Sequence, residues 1–461
     1  MGSNPVLAPG APNPPPVKPW NTLERLQSNL YFLLAFDILF LIALFAAYYV
    51  HRQTLQTIGR NSAPSIIAAL RVKSAVAAMD ADAVNELLVK PAQSDAFSSD
   101  YIHSRIEAAN GLIAAAENIT LGDSERLPIE HLQIGLGDYE SAIQHALDLH
   151  ERSDPAAVDA YRQAARVADD KLFPAADALE KANVDVMDNA YSAGSSRTSV
   201  VRLSAMVAGF LLLSALIYVQ GFISEKTRRT LNLPLVLATL VTFGYLAFAY
   251  RALTAEAHSL KIAKADAFTS IYSLWQARAA ACVARADLSR SLLNGPNSDA
   301  DRKEFLEEAG RVAALPEGKT FSQVASEATD NHGVDGFTGY LADELRNITL
   351  YGELDAAQQT LRNWGGTIIP DAQVIGLQQA GKTAEAIELC TGSGPNQANG
   401  AFHRFDKSLG QTLDIDKRAF DQAVNEGFAA LSGFQLTASL AAVIIAALCI
   451  LGVWQRLREY L

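Results

Sequence analysis

Arg278, Cys282 and Arg285 recur at spacings of four and three, which puts them on one face of a helix. Ile271 and Trp275 continue that face, so two guanidinium groups interrupt an otherwise apolar stripe. A guanidinium offers paired donors that match a carboxylate, and two of them at a helix seam could hold an acidic ligand. Aligning the two halves of the chain through Ala81 and Ala286 sets Lys73 opposite Arg278 and adds it to the candidate ligand-binding set. The plainer alternative is an Arg whose stem packs in the seam and whose head meets an Asp on a neighbouring helix. Both readings stand at this level. A second kind of chemistry is suggested by Asp37, the one acid inside an apolar run. An intramembrane carboxylate is costly and faces a bundle interior, where it fixes packing or serves signalling or proton-linked work. A third is the basic trio Lys226, Arg228 and Arg229, set against the single acid Glu225 in a short link.

Other chemistries are missing from the sequence. It has no phosphate-binding glycine loop, no nucleophile elbow and no HExxH. His145 and His150 are five apart and point to different sides of a helix, so no metal quartet forms. The expectation is a protein that is not an enzyme and needs no metal or cofactor. The net charge of -12 argues against a nucleic-acid partner, because phosphate binding needs clustered Lys and Arg. Of three cysteines, Cys449 lies in an apolar run, while Cys282 and Cys390 share one segment, where they are either free or joined.

The elements that must position these residues begin with four apolar runs. Residues 30–50, 200–223, 231–250 and 435–454 are each about twenty long, the length needed to cross a hydrocarbon core of roughly 30 Å. The link 224–230 is too short to cross back, so its flanking runs form a membrane hairpin. Short loops rich in Lys and Arg stay in the cytosol. That rule puts the link, the Pro-rich tail 1–29 and the tail 455–461 inside a bacterial plasma membrane, with both termini cytosolic. It leaves the acidic segments 51–199 and 251–434 outside, each long enough for its own core.

Within 51–199 the pattern is helical. Ala69, Val72, Val76, Met79, Ala83 and Leu87 make one apolar stripe, and Lys90-Pro91 stops it. Ser98 to Asp100 offer caps for a second helix reaching about Ile119. Leu132, Leu136, Tyr139, Ile143 and Leu147 mark a third. Asp154-Pro155 reads as the N-cap and first position of a fourth, kinked at Pro174. The second half echoes this plan: Asn118-Ile119-Thr120-Leu121 against Asn347-Ile348-Thr349-Leu350, and Ala81-Asp82 against Ala286-Asp287. The fold class expected is an all-α membrane protein with four transmembrane helices and two tandem extracytoplasmic four-helix bundles. An internal duplication would produce it, with extra residues near 294–334.

A span, a long four-helix bundle and a returning span resemble the sensory module of bacterial chemoreceptors and histidine kinases. The series Asp343-Glu344, Arg346-Asn347-Ile348-Thr349, Leu389-Cys390-Thr391-Gly392, Phe402, Arg404-Phe405-Asp406 and Leu409-Gly410 is similar to the GlnX-type four-span membrane proteins of actinobacteria. That resemblance implies a relay of amino-acid availability from an extracytoplasmic solute-binding protein to a cytosolic Ser/Thr kinase. It carries no ligand-contact residues onto this chain. The reading is a membrane sensor or signal relay, alone or as a homodimer, with Lys226, Arg228 and Arg229 facing the cytosolic partner. Its rival is a non-signalling envelope scaffold or accessory subunit.

Overall fold

The computed structural model describes residues 22–90, 98–227, 232–295, 298–329 and 333–458. The Pro-rich stretch 1–20, Arg228 and Arg229 lie outside the described residues. The protein is an all-α membrane protein. Among the described residues the named elements are all helical, and a lone antiparallel bridge joins Ala314 to Thr338.

The apolar runs are parts of much longer helices. α1 (Thr22–Gln56) continues through a π-helical turn at Thr57–Ser62 into α2 (Ala63–Leu88). α3 (Ser99–Glu117) and α4 (Asp123–Glu151) follow. α5 (Ala157–Val167) continues through a π turn at Ala168–Leu172 into α6 (Phe173–Thr227), whose last turn holds Lys226. α7 (Leu233–Lys261) continues through a third π turn, Ile262–Phe268, into α8 (Thr269–Asn294). Two of these widened turns stand just before a proline, Pro64 and Pro174. Proline lacks the N–H of the regular ladder and crowds the preceding turn, and a π turn absorbs that misfit without ending the helix. At the third, the Thr269 hydroxyl donates to the Lys264 carbonyl at 3.1 Å instead.

The described residues within Met1–Tyr48, Val200–Arg251 and Gly433–Leu461 cluster as one compact unit. It holds four stretches long and apolar enough to cross a membrane, the last on α15 (Phe434–Leu457). Leu33, Phe40, Leu212, Leu216, Leu235 and Cys449 face inward, while Ile42, Phe210, Leu240 and Val443 face outward, as lipid contact requires. Asp37 is 4% exposed, turned into the helical interior as its cost in hydrocarbon dictates.

Residues Tyr49–Ser199 and Ala252–Ser432 form the second unit. Where the sequence suggests tandem bundles, the two segments here are packed into one body with two hydrophobic clusters. The stripe Ala69, Val72, Val76, Met79, Ala83 and Leu87 is buried against Leu132, Tyr139, Ile143 and Leu147. The other cluster gathers Ile271, Leu274, Trp364, Phe405 and Leu409, together with Leu55, Ile58, Ile66 and Leu70 from the first segment. Its remaining helices are α9 (Asp299–Val312), α10 (Phe321–Glu327), α11 (Tyr340–Arg346), α12 (Glu353–Gln379), α13 (Thr383–Thr391) and α14 (Ala398–Ala430). α9 and α10 fall in the region near 294–334 where the duplication reading expects extra residues.

Local chemistry explains the helix starts. Ser98 caps α3, its hydroxyl accepting from Tyr101 N–H at 3.2 Å. α5 starts later than Asp154-Pro155 suggests. The Asp154 carboxylate accepts from Ala156 N–H at 2.9 Å and closes a turn ahead of the helix, a competing use of an Asp side chain. The Asn-Ile-Thr echo is structural. Asn118 donates to Asn61 O at 2.5 Å and Ser65 Oγ at 2.9 Å, and Asn347 donates to Asp266 O at 2.8 Å and Ser270 Oγ at 3.0 Å. A carboxylate then caps each turn: Glu125 accepts from Thr120 and Leu121 N–H, and Glu353 from Thr349 and Leu350 N–H.

Candidate functional site

The two segments of the second unit meet along α2 and α8 through polar ties. The Arg285 guanidinium donates to Asp82 Oδ1 at 2.7 Å, Arg290 donates to Asp80 Oδ2 at 2.7 Å, and Ser289 donates to Asn85 Oδ1 at 2.7 Å. Asp80 is wholly buried and also accepts from the Tyr139 and Tyr161 hydroxyls at 3.2 and 3.0 Å. Each of these ions has a charged or hydroxyl partner, the condition under which burial is tolerated.

Two clefts flank the helix pair. The first has a volume of about 140 Å³ and is lined by Arg278, Arg285, Arg71, Asp82, Asp406 and His403 among others. Arg278 holds Asp406 with both arms of its fork, at 2.7 and 3.0 Å. Arg285 divides its donors between Asp82 and Asn399 Oδ1, the latter at 2.9 Å. Arg71 pairs with Glu107 at 2.6 Å and His403 with Asp100 at 3.2 Å. Trp275 and Phe402 place ring faces 5.3 and 5.0 Å from the Arg278 and Arg285 guanidinium carbons. Burial works against both arginine charges, but Asp406 and Asp82 more than compensate and hold their pKa values above the usual range. Burial likewise raises the Asp82 carboxyl, with Arg285 opposing. Cys282, on the cleft wall, is pushed up to about 12 by burial, and Cys390 to about 11. Both thiols are free and buried, so neither is poised as a nucleophile.

The cleft sets guanidinium forks and carboxylates side by side, and the Arg278–Asp406 pair is partly open, with side chains 29% and 28% exposed.

The second cleft, of about 310 Å³, lies beside Lys73, Asp177, Gln276, Asp287, Arg290 and Glu308 among others. Lys73 donates to Asp177 at 2.6 Å. The structure therefore unites Arg278 with Arg285 and separates both from Lys73. The reason is geometric. Arg71, Ser74, Ala75, Ala78 and Asp82 line the first cleft, and the residues 205 positions later, Gln276, Ala279, Ala280, Val283 and Asp287, line the second. Positions paired by that offset thus line opposite clefts, with Lys73 beside the second and Arg278 beside the first. Spacing along the chain matches such positions without saying which side of the helix pair each faces. It also passes over Arg71, Asp82 and His403, which stand on helices whose packing no spacing rule pairs. Of the basic trio, only Lys226 falls within a described helix.

Residues 54–192, less than a third of the chain, match the family model described as the actinobacterial sensor domain. None of the curated proteins and none of the solved structures compared matches the chain. The match and the four apolar helices together support a bacterial multi-pass membrane protein with a sensor or signalling role.

Proposed function

We propose that the protein is an amino-acid-type sensor of the actinobacterial plasma membrane, which reads a zwitterionic or acidic ligand in the Arg278–Arg285 cleft. The observation that carries this reading is the cleft's chemistry: an exchangeable Arg278–Asp406 pair beside the Trp275 ring, next to a buried Arg285–Asp82 pair that faces Phe402. The cleft-bearing unit is outside the cell, and the termini and the 224–230 link are inside. Binding breaks the Arg278 link to α14 and lets α8 shift. Because α8 is continuous with α7, a displacement of roughly 1–2 Å reaches the span. Lys226, Arg228 and Arg229 present the change to a cytosolic partner, a Ser/Thr kinase by the GlnX resemblance, and a solute-binding protein delivers the ligand. The chain arose by duplication of one span–bundle–span unit. The paired π turns, the paired Asn-Ile-Thr-Leu turns and the related clefts support that origin.

Thermal unfolding of the full-length protein in micelles, titrated with a panel of amino acids, tests the ligand. Binding to the folded form alone raises the midpoint. A rise with an acidic amino acid that disappears in Arg278→Ala, with the unliganded midpoint retained, is the expected result. The reading fails if no amino acid moves the midpoint, or if the double variant R278A/R285A folds and binds as before. Impermeant thiol labelling of engineered cysteines tests sidedness: position 123 should label on intact cells and position 227 should not.

A further inference from the structure

Apart from either cleft, three acids converge in the buried interior of the second unit. Glu344 is on α11, Glu353 opens α12 and Asp416 is on α14. One carboxylate oxygen from each lies within 4.8 Å of the others. Glu344 is 1% exposed and the other two are fully buried.

Only one of the three is explained by the fold. Glu353 accepts the Thr349 and Leu350 N–H groups at 2.8 and 2.7 Å and the Ser270 hydroxyl at 3.2 Å. All four oxygens of Glu344 and Asp416 lack a hydrogen-bond partner. Burying an unpartnered carboxylate costs several kcal/mol (~3–5), and no stable fold spends that without return. The first segment shows that the turn itself does not require them. Its Asn118–Glu125 turn has the same bonds with one acid. The residue three before Asn118, where Glu344 stands before Asn347, is Ala115. A Cβ at Gly194 would meet Thr54, and one at Gly427 would meet Leu55 and then Ser259, which lies 205 positions after Thr54. That register sets Asn183, a neutral amide, in the place of Asp416.

Among the described residues no cationic side chain acts on Glu344 or Asp416. The groups that act on Glu344 are burial, Glu353 and the Ser270 hydroxyl, and those on Asp416 are burial, Glu344 and Glu353. Three buried acids without a counter-cation repel one another strongly. Two ways of relieving that are open: protons or a metal ion.

We propose that Glu344, Glu353 and Asp416 bind one hard divalent cation of the Ca²⁺, Mg²⁺ or Mn²⁺ type. An all-oxygen, all-carboxylate donor set selects hard ions over thiolate- and imidazole-seeking ones. Two unpartnered carboxylates leave up to four oxygens free to ligate, and the hydroxyl of Ser270 lies against the third acid. The ion ties α11, α12 and α14 together and, through Ser270, braces α8. The sensor's moving helix would then rest on a metal-stiffened support, separate from the ligand cleft and independent of what that cleft binds.

Full-length protein in micelles, stripped with a chelator and dialysed against Ca²⁺, Mg²⁺ or Mn²⁺, tests this through bound-metal content and the thermal midpoint. The expected result is about one ion per chain and a saturable rise in midpoint. The variant carrying Glu344→Gln and Asp416→Asn should bind at least roughly 100-fold more weakly, because ligand charge sets affinity. It should fold without metal, since the amides need no counter-charge. Asn183→Ala, at the equivalent place in the first segment, should leave metal binding unchanged. Substoichiometric metal with no midpoint shift for any of the three ions would overturn the proposal and assign the cluster to shared protons. Undiminished binding in the double variant would overturn it as well.

Discussion

Arg285 and Lys73 look alike in sequence, each a cation within an apolar helix pattern, yet their pairs differ in worth. Arg285 is 12% exposed against an Asp82 that is 4% exposed, whereas Asp177 opposite Lys73 is 54% exposed. Arg285→Ala should therefore cost about 3–5 kcal/mol in denaturant unfolding, because it strands a buried carboxylate. Lys73→Ala should cost no more than about 1 kcal/mol. Asp371 supplies a pH signature. Burial pushes its carboxyl up to about 8, with Arg285 pulling the other way. An unfolded chain releases that proton near the ordinary value of 3.8, and the folded protein keeps it to about 8. The folded state binds more protons across that window, so this contribution is complete below about 3.8 and is lost as pH rises from there through about 8. The difference between denaturant midpoints at about pH 5 and about pH 8.5 should shrink in Asp371→Asn relative to the parent.

Single elements are placed by small local devices. Gly339 begins α11 at φ 101°, and an added Cβ would stand 2.8 Å from Arg311 O and 2.9 Å from Val312 O. Both the left-handed backbone and the contact with main-chain atoms exclude a side chain. Gly339→Ala should lower stability by more than about 1 kcal/mol. It should also disturb Glu344 on the same helix, read as weaker divalent-metal binding in the dialysis experiment. The amphipathic stripe of α2 and the Ser98 cap were legible beforehand because a helix repeats every 3.6 residues and a cap needs only its own neighbours. The π turns were not, although Pro64 and Pro174 mark two of them. A proline signals disruption without saying whether the helix ends, kinks or widens.

At the scale of the molecule, the two segments of the second unit depend on each other. Leu55, Ile58, Ala63, Ile66, Leu70, Ala77 and Met187 are buried in a cluster whose other buried members come from the second segment. Separating the halves would expose this surface and strand Asp80 and Asp82. Residues 1–227 and 228–461, co-expressed as two chains, should co-purify at equal stoichiometry, and either alone should aggregate. Tagged pull-down checks this. Recovery of each half as a stable, monodisperse species alone would contradict a shared core.

What the sequence determined by itself is the class of the molecule: four apolar helices of membrane-spanning length, an all-helical remainder and a pair of arginines on one helix face. Those properties depend on composition and on periodicity within a single element, and both are written along the chain. Only the tertiary structure decided which acids meet Arg278 and Arg285, why Lys73 stands apart from them, and that Glu344, Glu353 and Asp416 converge. Such contacts join residues up to about 200 positions apart. They follow from how helices rotate and pack against one another, which spacing along one helix does not encode.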